Sequence, residues 1–110
     1  MSYKTALEIY KNIHQKAAIA NCIKSIGDVH LTLNNYDDAY DNYNKAITLY
    51  KDIGDRFGEA NCLKALGDLH QIRLEYYEAC KHYNEALPMY NDIGNRLAEA
   101  HCIKSFADVC

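Results

Sequence analysis

Cysteine and histidine carry the most distinctive chemistry in this chain, which has five residues of each type. Zinc sites need ligands in paired CxxC or HxxxH spacing, and neither "HC" at 101–102 nor "CKH" at 80–82 has it. An odd number of cysteines without an export signal argues against a disulfide framework. Because Cys22, Cys62 and Cys102 recur every forty residues, we interpret them as small core residues. No metal and no cofactor is expected.

The histidines show no catalytic arrangement either. None of the five is joined to a serine, cysteine and carboxylate by a strong motif. The sequence also lacks GxGxxG, GxxxxGK[ST] and HExxH, which hold nucleotides or catalytic zinc. We therefore predict that the protein is not an enzyme.

Composition limits the remaining classes. The chain has 110 residues, 49% of them hydrophobic, and a formal net charge of -3. This balance indicates one folded domain and argues against disorder and against a nucleic-acid partner. No stretch approaches the roughly 18 apolar residues that span a bilayer, and the N-terminus lacks the apolar run of a signal peptide. The expectation is a cytoplasmic protein without membrane contact.

An internal repeat organises the whole sequence. Residues 16–55 align with residues 56–95, and "ANCIKSIGDVH" returns as "ANCLKALGDLH" and again near the end as "AHCIKSFADVC". A fixed period of this size is the signature of a repeat architecture. We divide the single domain into a second helix of a partial repeat (1–15), two full repeats (16–55 and 56–95) and a first helix of another partial repeat (96–110).

Each half-repeat has the periodicity of an amphipathic helix. Apolar residues recur at spacings of three and four, and the segments "DIGDR" and "DIGNR" supply a helix-ending glycine followed by an N-capping Asp or Asn. The pattern predicts six helices, near 2–13, 16–33, 36–52, 57–73, 76–92 and 97–110.

The columns of the repeat resemble the tetratricopeptide repeats. Their W-x2-LG-x2-Y then A-x3-F pattern is met in one repeat by Leu63, Leu66, Gly67, His70, Ala79, Tyr83 and Ala86, and equivalently in the repeat before it. The forty-residue period is similar to the longer variant of cell-polarity adaptors, kinesin light chains and arrays attached to signalling ATPases. The resemblance implies an all-α fold, with antiparallel helix-turn-helix repeats stacked as a right-handed α-solenoid of about two and a half repeats.

The resemblance also implies a binding surface. In this family the first helix of each repeat lines a concave groove that holds extended peptides, and its exposed positions here are Asn21, Lys24, Asp28, Asn61, Lys64, Asp68, His101, Lys104 and Asp108. Amides suit a peptide backbone and lysines suit carboxylates. A solvated face with Lys–Asp pairs four residues apart is the competing interpretation. Family members that clamp chaperone tails have Asn one turn after the Lys, so the Asp found here disfavours that role.

A second hypothesis is self-association into a homo-oligomer. The first helix should expose Tyr3, Ala6, Leu7 and Tyr10, and the last should expose Ile103, Phe106 and Cys110, so the two ends could join head-to-tail between chains. In an alternative route, Leu74 is a poor residue for a left-handed turn, so residues 57 to about 87 could run as one long helix and exchange halves between two chains as a swapped dimer. The sequence thus predicts a protein-interaction scaffold, or adaptor, that binds a peptide or protein, with self-assembly as the alternative.

Overall fold

The computed structural model of the protein describes residues 2–110 and shows an all-α fold. Met1, part of the expected first partial repeat, lies outside these residues. The described chain contains five helices: α1 (Tyr3–Thr32), α2 (Tyr36–Ile53), α3 (Arg56–Ile72), α4 (Tyr76–Ile93) and α5 (Arg96–Val109). The expected helical-repeat fold class is therefore confirmed, although one helix fewer is present than the sequence predicted.

Turns form where the sequence marks them. Gly54 and Gly94 end α2 and α4 with φ of 72° and 78°, a left-handed conformation in which a Cβ would be strained. The carboxylate of Asp55 then accepts a hydrogen bond from the Gly58 amide at 2.9 Å, and the amide oxygen of Asn95 accepts one from the Ala98 amide at 3.0 Å. These N-caps satisfy amides that the first helical turn leaves free.

The expectation of separate helices at 2–13 and 16–33 is wrong. Both segments belong to α1, a single helix of 30 residues that is about 45 Å long at 1.5 Å per residue. Where the other repeats have Gly54 followed by Asp55, this segment has His14 followed by Gln15. Neither residue favours a left-handed end or an N-cap, so no local signal stops the helix.

Helices α3 and α4 are separate, as the predicted helices at 57–73 and 76–92 require, so the single helix over 57 to about 87 stays a prediction for the swapped dimer. Helix α3 ends at Ile72, and the chain turns back through Leu74 with φ of 63°. Asn34 holds the same position in the preceding turn with φ of 64°. A left-handed non-glycine residue costs about 1–2 kcal/mol, so the packing of α3 on α4 outweighs that cost. Helix α4 continues through Pro88 without a break.

The helices pack in chain order. Neighbours along the chain, joined by tight turns, lie antiparallel, and the first helices of successive repeats (α1, α3 and α5) also touch one another. Aromatic rings fill the spaces within each pair, and Tyr43, Tyr83 and Tyr90 have almost no exposed surface. An ideal Cβ built on Gly67 would lie 2.5 Å from Cε1 of Tyr83, so the bare backbone of this mid-helical glycine makes room for the ring.

The cysteines divide differently from the expectation. Cys62 and Cys102 are buried, as predicted, and burial raises the pKa of their thiols to about 12 and about 11. Cys22 is exposed, because no helix within residues 2–110 covers its face of α1. Cys80 and Cys110 form a disulfide across a sequence separation of 30 residues. The argument against any disulfide is thus corrected: the N-terminal half of α4, which holds Cys80, comes near the end of α5 only in the folded chain.

Candidate functional site

The first helices of the three repeats present their polar positions on one surface. A pocket of about 420 Å³ lies between α3 and α5 and is lined by residues that include Asn61, Lys64, His101, Lys104 and Asp108. A smaller pocket of about 180 Å³ lies between α1 and α3, and Lys24, Asp28 and Asp68 are among its lining residues. Eight of the nine residues predicted for the groove therefore line two adjacent pockets. We call this the A-helix surface.

Two asparagine side chains on the A-helix surface accept hydrogen bonds, through their amide oxygens, from tyrosines of the second helices. The Tyr90 hydroxyl donates to Oδ1 of Asn61 at 2.6 Å, and the Tyr50 hydroxyl donates to Oδ1 of Asn21. The carbonyl side of each amide is thereby occupied within the protein. The Nδ2 groups keep their hydrogens as donors for a ligand carbonyl. This division of the amide was not visible in the sequence.

Aspartates on the same surface also bind tyrosines. The Tyr43 hydroxyl donates to Oδ1 of Asp28 at 2.6 Å, and the Tyr83 hydroxyl donates to Oδ1 of Asp68 at 2.5 Å. Burial, and then the hydrogen bond to the carboxylate, raise the pKa of both phenols well above the ordinary value. The hydroxyls therefore stay protonated and act as donors that fix each helix pair in register.

Lysines form the predicted pairs in two of the three repeats. The Lys24 ammonium lies 2.8 Å from Oδ2 of Asp28, and the Lys64 ammonium lies 3.1 Å from Oδ2 of Asp68. Within residues 2–110, Lys104 and Asp108 have no such ion pair, and both side chains are exposed. The Lys–Asp pairs of the competing interpretation, a solvated face, are therefore present in the first two repeats. In the third repeat, Lys104 and Asp108 present charges of opposite sign that are not paired with each other.

The structure contains one polar cluster that the sequence analysis did not predict. The rings of His70 and His82 stack with centroids 5.2 Å apart, and Nδ1 of His70 lies 3.3 Å from Oε1 of Glu75. Nδ1 of His82 is buried and has no hydrogen-bond partner in the described part of the chain. Burial lowers the pKa of His82, and neighbouring His70 lowers it further. Only the folded arrangement joins α3 to α4 here, so spacing alone gave no signal.

Residues predicted for self-association fall into three groups. Tyr3, Ala6, Leu7 and Tyr10 are exposed on the first third of α1, and Ile103 is half-exposed on α5. Phe106 is partly buried against the core. Cys110 is held by its disulfide, and Leu74 occupies a formed turn. The N-terminal part of the predicted surface is therefore more accessible than the C-terminal part.

A comparison with known families agrees with the helical-repeat fold described above. The model of the tetratricopeptide repeat family matches residues 20–92, which is more than half of the chain. The chain belongs to the tetratricopeptide repeat family. Repeats of this family generally mediate protein–protein interactions and are not catalytic, so an interaction repeat is the level of function that the match supports. A search of curated proteins found no match.

Two further observations concern the tetratricopeptide fold of residues 2–110. None of its helices is both long enough and apolar enough to cross a membrane. Its described histidine, cysteine and acidic side chains do not cluster in threes as a metal ion would require.

Proposed function

We propose that the A-helix surface binds an extended segment of a partner protein that carries both positive and negative charges. The observation that supports this best is the pocket between α3 and α5, where Lys104 and Asp108 have no ion-pair partner among the described residues while Lys64 is already paired. A carboxylate on the ligand would approach Lys104, and a cationic group would approach Asp108.

Backbone recognition would come from the asparagine positions. Because Asn61 keeps its Nδ2 hydrogens while Oδ1 accepts from Tyr90, it can donate to a ligand carbonyl without breaking a bond within the protein. His101 lines the same pocket as Asn61 and adds a second polar group. Two pockets on adjacent repeats suit an elongated ligand rather than a compact small molecule.

A binding experiment with matched variants tests the proposal. Peptides selected on the protein from a random library are titrated against the parent chain, Lys104→Ala with Asp108→Asn, and Lys45→Ala. The double variant should lose affinity by a factor of about 10, equivalent to about 1.4 kcal/mol, because free charges at a binding surface are removed without breaking an internal bond. Lys45 is exposed on α2, away from the A-helix surface, and its variant should bind like the parent.

Two results would contradict the groove. Equal affinity of the double variant and the parent would mean that the selected peptides bind elsewhere. Equal losses in the double variant and the Lys45 variant would show that the loss does not come from the pocket between α3 and α5. The helicity of every variant, measured by circular dichroism, should equal that of the parent.

Self-assembly is the second candidate function. The exposed apolar side chains of α1 support it, among them Tyr3, Leu7 and Tyr10. The swap through Leu74 stays a prediction, and it would open a turn that is closed within the single chain. The head-to-tail contact would repeat the packing of Tyr83 on Gly67 with Tyr3 on Ala107. Alanine fills the space that glycine leaves open in both internal repeats, which weighs against that contact.

A further inference from the structure

Helix α1 carries an apolar stripe that nothing in residues 2–110 covers. It consists of Ile19, Cys22, Ile26 and Val29, spaced by three and four residues and therefore on one side of the helix. We call these four residues the α1 stripe. Ile26 is 49% exposed and Val29 is 58% exposed.

The next repeat shows what covers such a stripe. In α3 the equivalent positions are Cys62, Leu66 and Leu69, and the two leucines are each 1% exposed. The difference between α3 and α1 is that the preceding repeat packs against α3, mainly through α2 and to a smaller extent through α1. In that contact the Tyr50 ring lies on Gly58, 2.5 Å from an ideal Cβ built there. A second helix from the preceding position is therefore the element that buries these residues.

Residues 3–13 have the sequence of such a covering helix. Tyr3, Ala6, Tyr10 and Ile13 stand forty residues before Tyr43, Ala46, Tyr50 and Ile53 of α2. In a closed repeat they would turn at 14–15 and fold back along residues 18–29. Because α1 is continuous through His14 and Gln15, residues 3–13 project away from the stripe that they match.

We propose that two copies of this chain pair through α1, residues 3–13 of each copy covering the α1 stripe of the other. The two α1 helices run antiparallel and cross near His14, with Tyr10 of one copy against Ala18 of the second copy, as Tyr50 lies against Gly58 within the chain. The contact is reciprocal, so it closes as a twofold dimer and leaves no further copy of the same surface free. This pairing deepens the self-assembly candidate and does not depend on peptide binding.

Side chains along this crossing fit the pairing. Tyr10 would meet Ala18, and the α4–α5 contact already contains that combination, since Tyr90 and Ala98 line one pocket. Ile19 stands where α3 has Glu59, which lies 3.9 Å from Lys51 of α2. The α1 stripe thus has an apolar residue at the position where the internal contact has an ion pair. An apolar residue there gains more from being covered by a second copy than from exposure to water.

Mass and thiol reactivity test the pairing together. Light scattering after size exclusion at about 100 µM should give a mass that rises from the 12.6 kDa of the chain toward twice that value, because a dissociation constant of about 100 µM already places about half of the chains in dimers. Cys22 is the exposed free thiol, and in the dimer its reaction with a thiol reagent should slow at least tenfold. Dilution should restore both the monomer mass and the fast reaction. A chain that stays monomeric at about 100 µM overturns the proposal.

Substitutions distinguish this contact from the head-to-tail one. Ile26→Glu and Val29→Glu, each at an exposed position of the stripe, should yield monomers with unchanged helicity and fast-reacting Cys22. Ile103→Glu, at a half-exposed position of α5, should stay dimeric. The opposite pattern, or a dimer in which Cys22 reacts at the monomer rate, would place the contact on another surface and overturn the pairing.

Restoring the turn gives a further test. His14→Gly combined with Gln15→Asp rebuilds the glycine and N-cap that separate α2 from α3. Residues 3–13 should then fold back on their own stripe, so the variant should be monomeric with a slow-reacting Cys22. Because the same residues are covered without a partner, this outcome cannot arise from simple loss of folding. A variant that remains dimeric, or a monomer with fast-reacting Cys22, would show that residues 3–13 do not cover the stripe.

Discussion

Replacing Gly67 with alanine should destabilise the protein although alanine is the better helix former. The added Cβ would lie 2.5 Å from Cε1 and 2.7 Å from Cδ1 of Tyr83, and real Cβ atoms do not approach that closely. The ring has little freedom to move, because it is fully buried and its hydroxyl donates to Asp68 at 2.5 Å.

The expected size follows from these contacts. Forcing a methyl group into a packed core costs about 1–3 kcal/mol, and losing a hydrogen bond to a charged group costs about 1.5–3 kcal/mol if the hydroxyl is displaced. The gain in helix propensity returns about 1 kcal/mol. We expect a net loss of about 2 kcal/mol in the free energy of unfolding, which lowers the urea midpoint by about 1 M for a domain of this size.

Gly27 provides the matched comparison for Gly67. An ideal Cβ on Gly27 would lie 2.9 Å from Cε1 of Tyr43 and 3.0 Å from Cδ1, so a smaller shift relieves the contact. In urea unfolding followed by circular dichroism, Gly27→Ala should lie within about 1 kcal/mol of the parent. If Gly67→Ala is as stable as Gly27→Ala, or more stable than the parent, the ring yields freely and the reasoning is refuted.

Two further predictions concern pH and redox state. The pKa of His82 is lowered in the folded chain by burial, so its contribution to stability is complete above the unfolded value of about 6.5 and is lost as the pH falls below it. In urea unfolding at a series of pH values, His82→Phe should flatten the fall of the unfolding free energy below about pH 6.5, and an unchanged pH dependence would contradict this. Reduction of the Cys80–Cys110 disulfide, which spans 30 residues, should lower the unfolding free energy by up to about 3–4 kcal/mol. Cys110→Ser should show the same loss and no further response to reductant, and an unaltered urea midpoint after complete reduction would contradict the prediction.

The repeat columns predicted most of the fold because each column marks a physical requirement. Glycine followed by Asp or Asn ended a helix and capped the next at 54–55 and 94–95, and the tyrosine columns became the buried rings. Where the usual turn residues are replaced, the formation of a turn depended on whether packing between helices favoured it. At 14–15 nothing replaced the glycine, so the helix continued. At Leu74 the packing of α3 on α4 closed the turn despite the unfavourable residue.

The sequence predicted where the candidate site lies but not which of its atoms are already hydrogen-bonded within the protein. Helical spacing placed Asn61, Lys64 and Asp68 on one face, and the structure brings them beside the equivalent residues of α5. Which of their atoms are already bonded depends on tyrosines 15 and 29 residues away, a distance at which sequence periodicity says nothing about geometry. The Cys80–Cys110 disulfide was not predicted either, because neither cysteine belongs to the column of Cys22, Cys62 and Cys102 and only the fold brings the two together.

The continuous backbone of α1 has a mechanical consequence. A stack of helices joined by tight turns bends and stretches by small rotations between neighbouring helices, so it behaves as a spring. Through residues 13–16 there is no turn about which such a rotation could occur, and an unbroken run of backbone hydrogen bonds resists bending. A load applied at Tyr3 is therefore carried as along a stiff rod, about 45 Å long at 1.5 Å per residue, directly into the contact between α1 and α2.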